Sequence, residues 1–399
     1  MGKNANGEGS IYKRMRDGKA VGYVGALTYE DNDGRTQRIR VYGPTRAAAR
    51  DKLKQARERI ENGAPARDAT MPVGAWLAHW RATTLAASDR KQATKALYEN
   101  LARLHLEPAP FGAIRLDKLK PSDIEKLVLS MRAKTKPGME GVDGAPGEPV
   151  RALSDSTIRS AYTVLRAGLD GAVRDGLLAK NPAAAVKRPG IERSEAKHLD
   201  RSAVAQVLAA AEGSRYHPAL VLIAATGLRR GEVLALAWDR VDLDAATLKV
   251  TATIGRIGGQ LVISAPKTER SRRTVPLAPA VVELLRKHHA VQAAERLRAG
   301  NQWQDSGLVF TTELGGPVDP RNLLRVVETA AKAAGVETDL HTIRHSAAVA
   351  WLEQGVHIKA VADLLGHSSV AITGDIYGHT SDDTARKAVE GLSTALGIG

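Results

Sequence analysis

The stretch Thr226-Gly227-Leu228-Arg229-Arg230-Gly231-Glu232 ends an apolar run, Ala219 to Leu228, and begins a second element. A glycine near the end of an apolar segment is typical of a helix end, because glycine adopts the left-handed conformation that follows the last turn. The sequence therefore predicts two helices that meet here, with Arg229 projecting from their junction. Glu232, three residues on, would either orient the Arg229 guanidinium or serve only as a negative charge at a helix N-terminus.

Five further polar residues follow Arg229 in the C-terminal half, each in its own local context. His341 and Arg344 form an H-x-x-R pair, whose spacing places both on one face of a helix. Such a pair alone is common on protein surfaces, and a lone lysine in a basic turn is usually solvated, so the order of the whole set is what carries information. The remaining three are Lys267 in Pro266-Lys267-Thr268, His367 after Leu364-Leu365-Gly366, and Tyr377 before Gly378-His379.

In order and context these six residues resemble the tyrosine recombinase family, also called the phage-type integrases, over residues 226–379. The resemblance implies a nucleophilic Tyr377 that attacks a DNA phosphate, forms a 3′-phosphotyrosine and frees a 5′ hydroxyl. The ten-residue spacing from His367 favours this role over the alternative of a core aromatic. The resemblance assigns phosphate binding to Arg229, His341, Arg344 and His367, and protonation of the leaving 5′ oxygen to Lys267.

Metal-free phosphodiester cleavage needs a nucleophile, positive charge on the phosphate oxygens and an acid for the leaving oxygen. Arginine suits the second role because its planar guanidinium is permanently charged and forms paired hydrogen bonds to phosphate. A covalent intermediate conserves the bond energy, so no nucleotide is needed. The sequence has no G-x-x-x-x-G-K-[ST] motif and no carboxylate cluster. No metal and no cofactor is therefore expected.

The composition indicates a globular chain with a polyanionic partner. The 399 residues carry a net charge of +14 and are 43% hydrophobic, enough for two or three domains. Residues 1–195 hold 35 basic and 23 acidic side chains, against 23 and 21 in 196–399, so the excess lies in the first half. A basic surface that binds nothing is the alternative. The absence of cysteine excludes disulfides and thiolate chemistry and fits a reducing cytoplasm.

Residues 1–63 alternate polar and apolar over short runs, with a turn signal at 31–34 and an N-capping Thr45 before a helix. This predicts a small sheet backed by one helix, which resembles the arm-type DNA-binding domain of many integrases. If its strands enter the major groove, the candidate base-contacting side chains are Tyr23, Arg38 and Arg40. Any other small α+β module is the alternative.

The rest of the chain is predicted to be mainly helical, giving a multidomain fold with small β-sheets. Residues 70–187 resemble the helical core-binding domain, with Trp76 and Trp80 on one apolar stripe that indicates core packing. A second stripe is expected at Leu97, Leu101 and Leu104, and 136–150 is expected to be a mobile loop. Residues 198–399 form the expected mixed α/β catalytic domain, with strands at 247–253, 260–264 and 272–276 and a C-terminal exchange helix at 381–399. Next to Lys267, the expected contacts to the DNA backbone are Arg270, Arg272 and Arg273.

These features favour a site-specific recombinase that works through a Holliday junction as a homotetramer on double-stranded DNA, at core sites and arm sites. The alternatives are a monomeric type IB topoisomerase, which shares the chemistry, and a non-catalytic DNA-binding regulator. The expected location is the bacterial cytoplasm, at the nucleoid, with a DNA-bending host factor and a directionality factor as possible partners. No signal peptide or membrane span is expected.

Overall fold

The computed structural model describes residues 9–16, 19–30, 36–61, 70–138, 147–191, 197–266, 269–377, 390 and 393–394. Contacts divide the chain into two units, residues 1–193 and 194–399. Within the first unit, one apolar cluster belongs to the N-terminal sheet and a separate one to the helices that follow. The finer domain boundaries at residues 63 and 70 stay predictions.

A three-stranded antiparallel sheet in the order β1-β2-β3, backed by one helix, begins the first unit. Thr45 caps that helix, since the Ala48 amide donates to Thr45 Oγ1 at 3.1 Å. The inner face of the sheet packs Leu27 and Ile39 against Leu53 of the helix. The elements are β1 (Ser10–Arg16), β2 (Lys19–Glu30), β3 (Thr36–Gly43) and α1 (Arg46–Glu61).

Four helices and a short hairpin make up the described remainder of the first unit. The helices α2 and α3 each continue into a π-helical turn, and three short 3₁₀ helices lie at Phe111–Ala113, Leu116–Lys118 and Pro182–Ala185. The main elements are α2 (Val73–Trp80) with its turn Arg81–Leu85, α3 (Gln92–Leu101) with its turn Ala102–Leu106, α4 (Pro121–Ala133), β4 (Thr135–Lys136), β5 (Val150–Arg151) and α5 (Asp155–Arg174).

The core of these helices confirms one predicted stripe and corrects the other. Trp76 and Trp80 are buried, and Trp76 Nε1 donates to the Gly168 carbonyl at 2.8 Å, so both are core residues. In the second stripe only Leu101 is buried. The π-helical turn makes Leu106, five residues later, the next buried leucine and leaves Leu104 exposed. The expected loop at 136–150 is flanked by the β4–β5 pairing, and 139–146 lie outside the described residues.

The second unit packs helices around a three-stranded antiparallel sheet in the order β10-β7-β6, with a separate β8-β9 hairpin. The expected strand 247–253 ends at residue 250, and a further strand begins at 253. The elements are α6 (Arg201–Ala210), α7 (His217–Thr226), α8 (Arg230–Leu234), β6 (Val241–Asp242), β7 (Thr247–Val250), β8 (Thr253–Ile257), β9 (Gln260–Ser264), β10 (Arg273–Pro276), α9 (Pro279–Ala299), α10 (Pro320–Ala333), α11 (Leu340–Glu353), α12 (Ile358–Leu365) and α13 (Val370–Tyr377), with 3₁₀ turns at Trp238–Arg240, Glu269–Ser271 and Gly300–Gln302.

Two helix ends position the site. The apolar α7, with Leu220, Leu222 and Ile223 fully buried, ends at Gly227, whose φ is 60°. In the same way α12 ends at Gly366, whose φ is 64°. Both glycines occupy the left-handed conformation that side chains disfavour. The backbone therefore turns sharply just before Arg229 and again just before His367.

Within the described ranges, no helix has the length and apolar character needed to cross a bilayer. The same ranges hold no group of three or more histidine, cysteine, aspartate or glutamate side chains arranged to bind a metal ion. The expected C-terminal helix at 381–399 lies outside the described residues except for 390, 393 and 394.

Candidate active site

Arg229 lies at the N-cap of α8, in the predicted junction between two helices. Its side chain is 41% exposed. One guanidinium nitrogen, Nη1, donates to Glu232 Oε1 at 2.8 Å, and Nη2 donates to the Gly366 carbonyl at 3.1 Å. The guanidinium is thus fixed from behind by protein while its outer edge faces solvent.

Glu232 is buried and receives hydrogen bonds on both carboxylate oxygens. Oε1 accepts from Arg229, and Oε2 accepts from the Arg229 backbone amide at 3.0 Å. Arg273 donates to the same carboxylate from the other side. Burial alone would raise the pKa of Glu232, but the hydrogen bonds and charge of Arg273, and then the charge of Arg229, bring the pKa below its ordinary value. Glu232 is therefore a carboxylate that bonds the Arg229 guanidinium and also closes the first turn of α8, so its contacts fit both alternatives that the sequence left open.

Arg344 and His341 lie on α11, as the H-x-x-R spacing predicted. Arg344 is 3% exposed, donates to the Gly227 carbonyl, and donates through Nη2 to the Leu365 carbonyl at 2.8 Å. His341 lies in the first turn of α11, with its ring only partly covered by protein. This partial burial, followed by the positive charge of Arg344, lowers the pKa of His341 below its usual value. Arg344 therefore lies beside the glycine turn that leads to Arg229, and His341 lies three residues before it on the same helix.

His367 follows Gly366 and connects Arg344 to α13. Its Nε2 lies 3.2 Å from Arg344 Nη2, and its Nδ1 lies 2.9 Å from Thr373 Oγ1. Burial, and then the charges of Arg344 and Arg229, lower the pKa of His367 to about 4. Sequence reasoning missed Thr373, which is fully buried, because nothing in its local sequence distinguishes it from other helical threonines.

The structure describes only the backbone of Tyr377 and does not describe Lys267. Tyr377 is the last residue of α13, which directly follows the His367 segment, but its side chain lies outside what the structure describes. Lys267 itself also lies outside the described residues. The described residues continue past β9 to Pro266 and resume at Glu269, just before β10. Lys267 therefore falls between these two strands in the sequence, and its role stays a prediction.

Arg273 differs from its two basic neighbours. Arg270 and Arg272 are exposed, in keeping with the predicted contacts to the DNA backbone. The Arg273 side chain is only 6% exposed and pairs with Glu232, with Nη2 at 2.9 Å from Oε2. Its Nε donates to the Leu364 carbonyl at 2.6 Å. The predicted DNA contact does not fit this geometry, because all three guanidinium nitrogens are hydrogen-bonded and the charge is paired with both oxygens of the Glu232 carboxylate.

The N-terminal sheet also corrects one predicted contact residue. Arg38 and Arg40 of β3 are exposed on the face away from α1. Tyr23 pairs with Gly43, where an added Cβ would meet the backbone of α1 at Ala49, so Tyr23 lies on the opposite, helix-facing side. The register instead puts three other residues on the face with Arg38 and Arg40: Tyr12, Arg14 and Tyr42. We call the face carrying these five residues the outer face.

Within the outer face, the Arg14 guanidinium lies 5.2 Å from the centre of the Tyr42 ring, a distance typical of cation–π contact. Tyr12 and Tyr42 are 43% and 49% exposed. The outer face therefore combines three arginines with two accessible aromatic rings on a rigid sheet, a composition suited to nucleic acid.

Comparison with known proteins places this site in a family. Residues 197–384 match the Phage integrase family. A tyrosine recombinase XerC-like protein of Caldanaerobacter subterraneus subsp. tengcongensis is 29% identical over 398 residues, covering 95% of this chain and 97% of the relative. An integrase of Saccharopolyspora erythraea is 28% identical over 448 residues, covering 98% of this chain and 97% of that protein.

Solved structures share the fold. A Tn1549 transposon integrase in complex with transposon right end DNA aligns with a TM-score of 0.64 at 22% identity, over 81% of this chain and all of that chain. A lambda integrase tetramer bound to a Holliday junction aligns with a TM-score of 0.57 at 17% identity, over 95% of this chain and 99% of that chain. At these identities the likeness establishes the mainly helical, multidomain fold with small sheets that the sequence predicted.

Proposed function

We propose that this chain, whose residues 197–384 match the Phage integrase family, is a tyrosine recombinase, a site-specific DNA recombinase that cuts and rejoins strands through a 3′-phosphotyrosine. The observation that carries the proposal is the meeting of Arg229, Arg344 and His367 at the C-terminal end of α12. Tyr377 follows on the next helix. The two arginines thus converge on the segment that runs from the end of α12 through α13, and this segment carries both His367 and the candidate nucleophile.

The electrostatics of the site favour an anion. Arg229 and Arg273 share one carboxylate, Glu232, and Arg344 adds a third permanent positive charge beside His367. That excess is held by fixed hydrogen bonds, so it need not reorganise when a phosphate arrives. Preorganised charge of this kind stabilises the extra negative charge of a phosphorane-like transition state. The exposed edge of Arg229 gives such a phosphate a direct approach.

The proposed reaction has two balanced steps. The Tyr377 hydroxyl attacks the phosphorus and loses its proton to solvent, and the bond from phosphorus to the 5′ oxygen breaks as Lys267 protonates that oxygen. Arg229 and Arg344 hold the non-bridging oxygens through both steps, with His341 and His367 as further hydrogen-bonding groups. In the reverse sense, the 5′ hydroxyl of a partner strand attacks the phosphotyrosine and releases Tyr377. Exchange of one pair of strands forms a Holliday junction, and exchange of the second pair resolves it.

The proposed substrate is double-stranded DNA carrying core sites, with arm sites bound by the outer face of the N-terminal sheet. The protein would act as a homotetramer at the nucleoid of a bacterial host, and integrate or excise a mobile element. A DNA-bending host protein and a directionality factor are the proposed accessory partners. The net charge of +14, concentrated in residues 1–195, supports a long contact with a duplex.

A nicked suicide duplex tests the proposal. The nick lets the short fragment with the free 5′ hydroxyl diffuse away after cleavage. The covalent intermediate therefore accumulates and is seen as a slowly migrating band on a denaturing gel. We expect the band with the full-length protein and its complete loss in Tyr377→Phe, which retains the ring and the ability to bind DNA. Peptide mass spectrometry should locate the adduct at Tyr377.

Tyr98→Phe is the matched control, because Tyr98 is a partly exposed tyrosine in the helical part whose ring packs on Arg90. It should form the adduct normally. An adduct that survives Tyr377→Phe would reject the assignment of the nucleophile. Relaxation of any supercoiled plasmid, without a requirement for paired sites, would favour a topoisomerase, and absence of any adduct would favour a DNA-binding regulator.

A further inference from the structure

Three consecutive backbone carbonyls at the C-terminal end of α12 each accept a hydrogen bond from a different arginine. The Leu364 carbonyl accepts from Arg273, the Leu365 carbonyl from Arg344, and the Gly366 carbonyl from Arg229. Carbonyls in the last turn of a helix lack partners within that helix, and the helix dipole makes this end negative. The three guanidiniums therefore occupy a place that favours cations, and they fix the position of this helix end.

Two of these arginines are the candidate phosphate ligands, while Arg273 is the first residue of β10 and has a largely buried side chain. Arg273 faces inward with Val275, two residues further along the strand, which is 2% exposed. Besides its bond to Leu364, its Nη1 donates to the Ser271 carbonyl at 3.1 Å and to Glu232 Oε1 at 3.3 Å. An added Cβ on Gly366 would lie 2.7 Å from Arg273 Nη1, so the glycine also makes room for this side chain.

Glu232 joins Arg273 to Arg229. Each of its carboxylate oxygens accepts one bond from Arg229 and one from Arg273. A buried carboxylate with two cationic partners shares its charge between them. With Arg273 removed, Glu232 would depend on Arg229 alone, and the pair would compete more strongly with an incoming phosphate. The end of α12 would at the same time lose the bond at Leu364.

We propose that Arg273 is a positioning residue of the cleavage reaction, which sets the Arg229 guanidinium through Glu232 and sets the His367 segment through the Leu364 carbonyl. This proposal rests on the proposed function. It assigns to Arg273 no contact with DNA. Its consequence is that Arg273 controls the rate of cleavage on bound DNA and leaves the affinity for DNA unchanged.

The test is a split between affinity and rate for Arg273→Met, which keeps the aliphatic stem and removes the guanidinium. Affinity for the nicked duplex is measured by titration, and the single-turnover rate of adduct formation is measured with DNA saturated by protein. We expect affinity within about threefold of the unmodified protein and a rate lowered by about 10- to 100-fold, as misplacement of a catalytic group by about 1 Å produces. Arg273→Lys should recover part of the rate, because it restores charge beside Glu232 but cannot replace the planar set of bonds.

Arg215→Met is the matched control. Arg215 also pairs with a glutamate through two nitrogens, Glu295, and also donates to two backbone carbonyls, those of Thr311 and Thr312. It belongs to the same unit, and within the described residues its hydrogen bonds go to Glu295, Thr311 and Thr312, none of which is a site residue. Its loss should lower the melting temperature and leave the single-turnover rate unchanged when all proteins are assayed well below their melting temperatures.

The outcomes separate cleanly. Weaker binding at an unchanged rate would make Arg273 a DNA contact and overturn the proposal. A rate equal to that of Arg215→Met would leave Arg273 with structural importance only and would also overturn it. Should Arg273→Met fail to fold, Arg273→Lys carries the same test with the same two contrary outcomes.

A second measurement separates this proposal from the proposed function. The Nε–H resonance of Arg229 in the DNA-free protein should shift in Arg273→Met and Arg273→Lys, and should stay in place in Arg215→Met. If the unmodified protein formed no adduct, the proposed function would fail while this readout still reported the coupling through Glu232. An Arg229 resonance that is indifferent to Arg273 would reject the positioning role even where cleavage is normal.

Discussion

At the scale of single residues, the ring of His367 has a defined hydrogen-bonding state. Arginine has no acceptor, so the contact between Arg344 Nη2 and His367 Nε2 requires a lone pair on Nε2. The ring proton is then on Nδ1 and is donated to Thr373 Oγ1. A phosphate at this site would need a donor in place of that lone pair. We infer that a bound phosphate favours protonation of His367, since a nearby anion raises the pKa of a histidine.

The two candidate phosphate-binding arginines should differ in what their loss does to stability. Arg229→Ala and Arg344→Ala should each slow cleavage by at least ~10²-fold, because each removes preorganised charge. Arg344 is buried and satisfies the Gly227 and Leu365 carbonyls, whereas Arg229 is 41% exposed and leaves Glu232 paired with Arg273. Arg344→Ala should therefore also lower the melting temperature clearly more than Arg229→Ala does.

Adduct formation and thermal unfolding of both variants check this pair of expectations, with DNA affinity as the control. Affinity should change little in either variant, because many other basic residues contact the backbone. Near-normal cleavage by either one would remove it from the scissile phosphate. A larger loss of stability in Arg229→Ala would contradict the burial argument.

Two histidines, the buried His345 and the partly buried His367, give the catalytic unit a pH-dependent stability. Burial first, and then neighbouring positive charge, lowers the pKa of His345 and of His367 to about 4, from an ordinary value of 6.5. Below pH 6.5 the unfolded chain gains protons that the folded chain does not accept until about pH 4. The free energy of unfolding should thus decrease as pH falls through this window, by up to about 1.4 kcal/mol per pH unit for each histidine, and these groups should contribute no slope above it.

Unfolding measured at several pH values between 4.5 and 8 tests this slope. His345→Asn and His367→Asn should each reduce the slope of the unfolding free energy against pH by the contribution of about one proton. The exposed His357, which caps α12 by accepting from the Lys359 amide, supplies the control His357→Asn, since asparagine can keep the cap. A slope that is unchanged in both His345→Asn and His367→Asn would show that other groups cause it.

At the scale of elements, the helix ends were predictable and their partners were not. A glycine after an apolar run predicts a helix end. This pattern predicted the turns at Gly227 and Gly366, and therefore also the places of Arg229 and His367 beside them. Which arginine donates to which carbonyl depends on side chains separated by about a hundred residues, as with Arg273 and Leu364. Local patterns carry no information on such pairings.

Arg273 and Tyr23, the two predicted DNA contacts that the structure does not support, both lie in strands, where side chains alternate between the two faces of the sheet. Arg273 precedes Val275 by two residues and so faces the interior, whereas Arg272 points outward. Tyr23 precedes Leu27 by four residues and shares its helix-facing side. A count of alternate positions from the nearest buried aliphatic residue would have placed both correctly. Leu104 is a different case, because it lies in the π-helical turn Ala102–Leu106, which changes the period of buried positions in a way that composition does not reveal.

The outer face of the N-terminal sheet makes a prediction at this scale. Arg38→Met and Arg40→Met should each weaken binding of arm-site DNA and reduce the salt slope of log K by about one, because each removes one phosphate contact. Tyr23→Phe, on the helix-facing side of the same sheet, should leave both quantities unchanged. Titrations at several salt concentrations measure them. Equal losses in Tyr23→Phe and Arg40→Met would show that the sheet presents its other face to DNA, or none.

At the scale of the whole molecule, charge and chemistry are divided between the two halves of the sequence. Residues 1–195 carry most of the basic excess, while the proposed reacting groups all follow residue 226. The N-terminal sheet has its own small core around Leu27, Ile39 and Leu53, separate from the core that surrounds Trp76. A module with its own core and a cationic outer face can add affinity for a distant site without altering the geometry of cleavage, because linked binding acts through effective concentration.

Removal of residues 1–63 should therefore separate cleavage from recombination. The shortened protein should form the covalent adduct on a core-site suicide duplex at a rate similar to the full chain, since Arg229, Arg344 and Tyr377 are all retained. It should recombine poorly on complete attachment sites, where arm contacts are needed to assemble the synapse.

A full-length chain with Arg14, Arg38 and Arg40 all changed to methionine is the control, because it keeps the module and removes only the charge of the outer face. If this variant recombines like the shortened protein, arm-DNA contact is the cause of the defect; if it recombines normally while the shortened protein fails, the module acts through some other contact. Equal recombination by the shortened and full-length proteins would refute the arm-binding role and leave the assignment of the cleavage site intact.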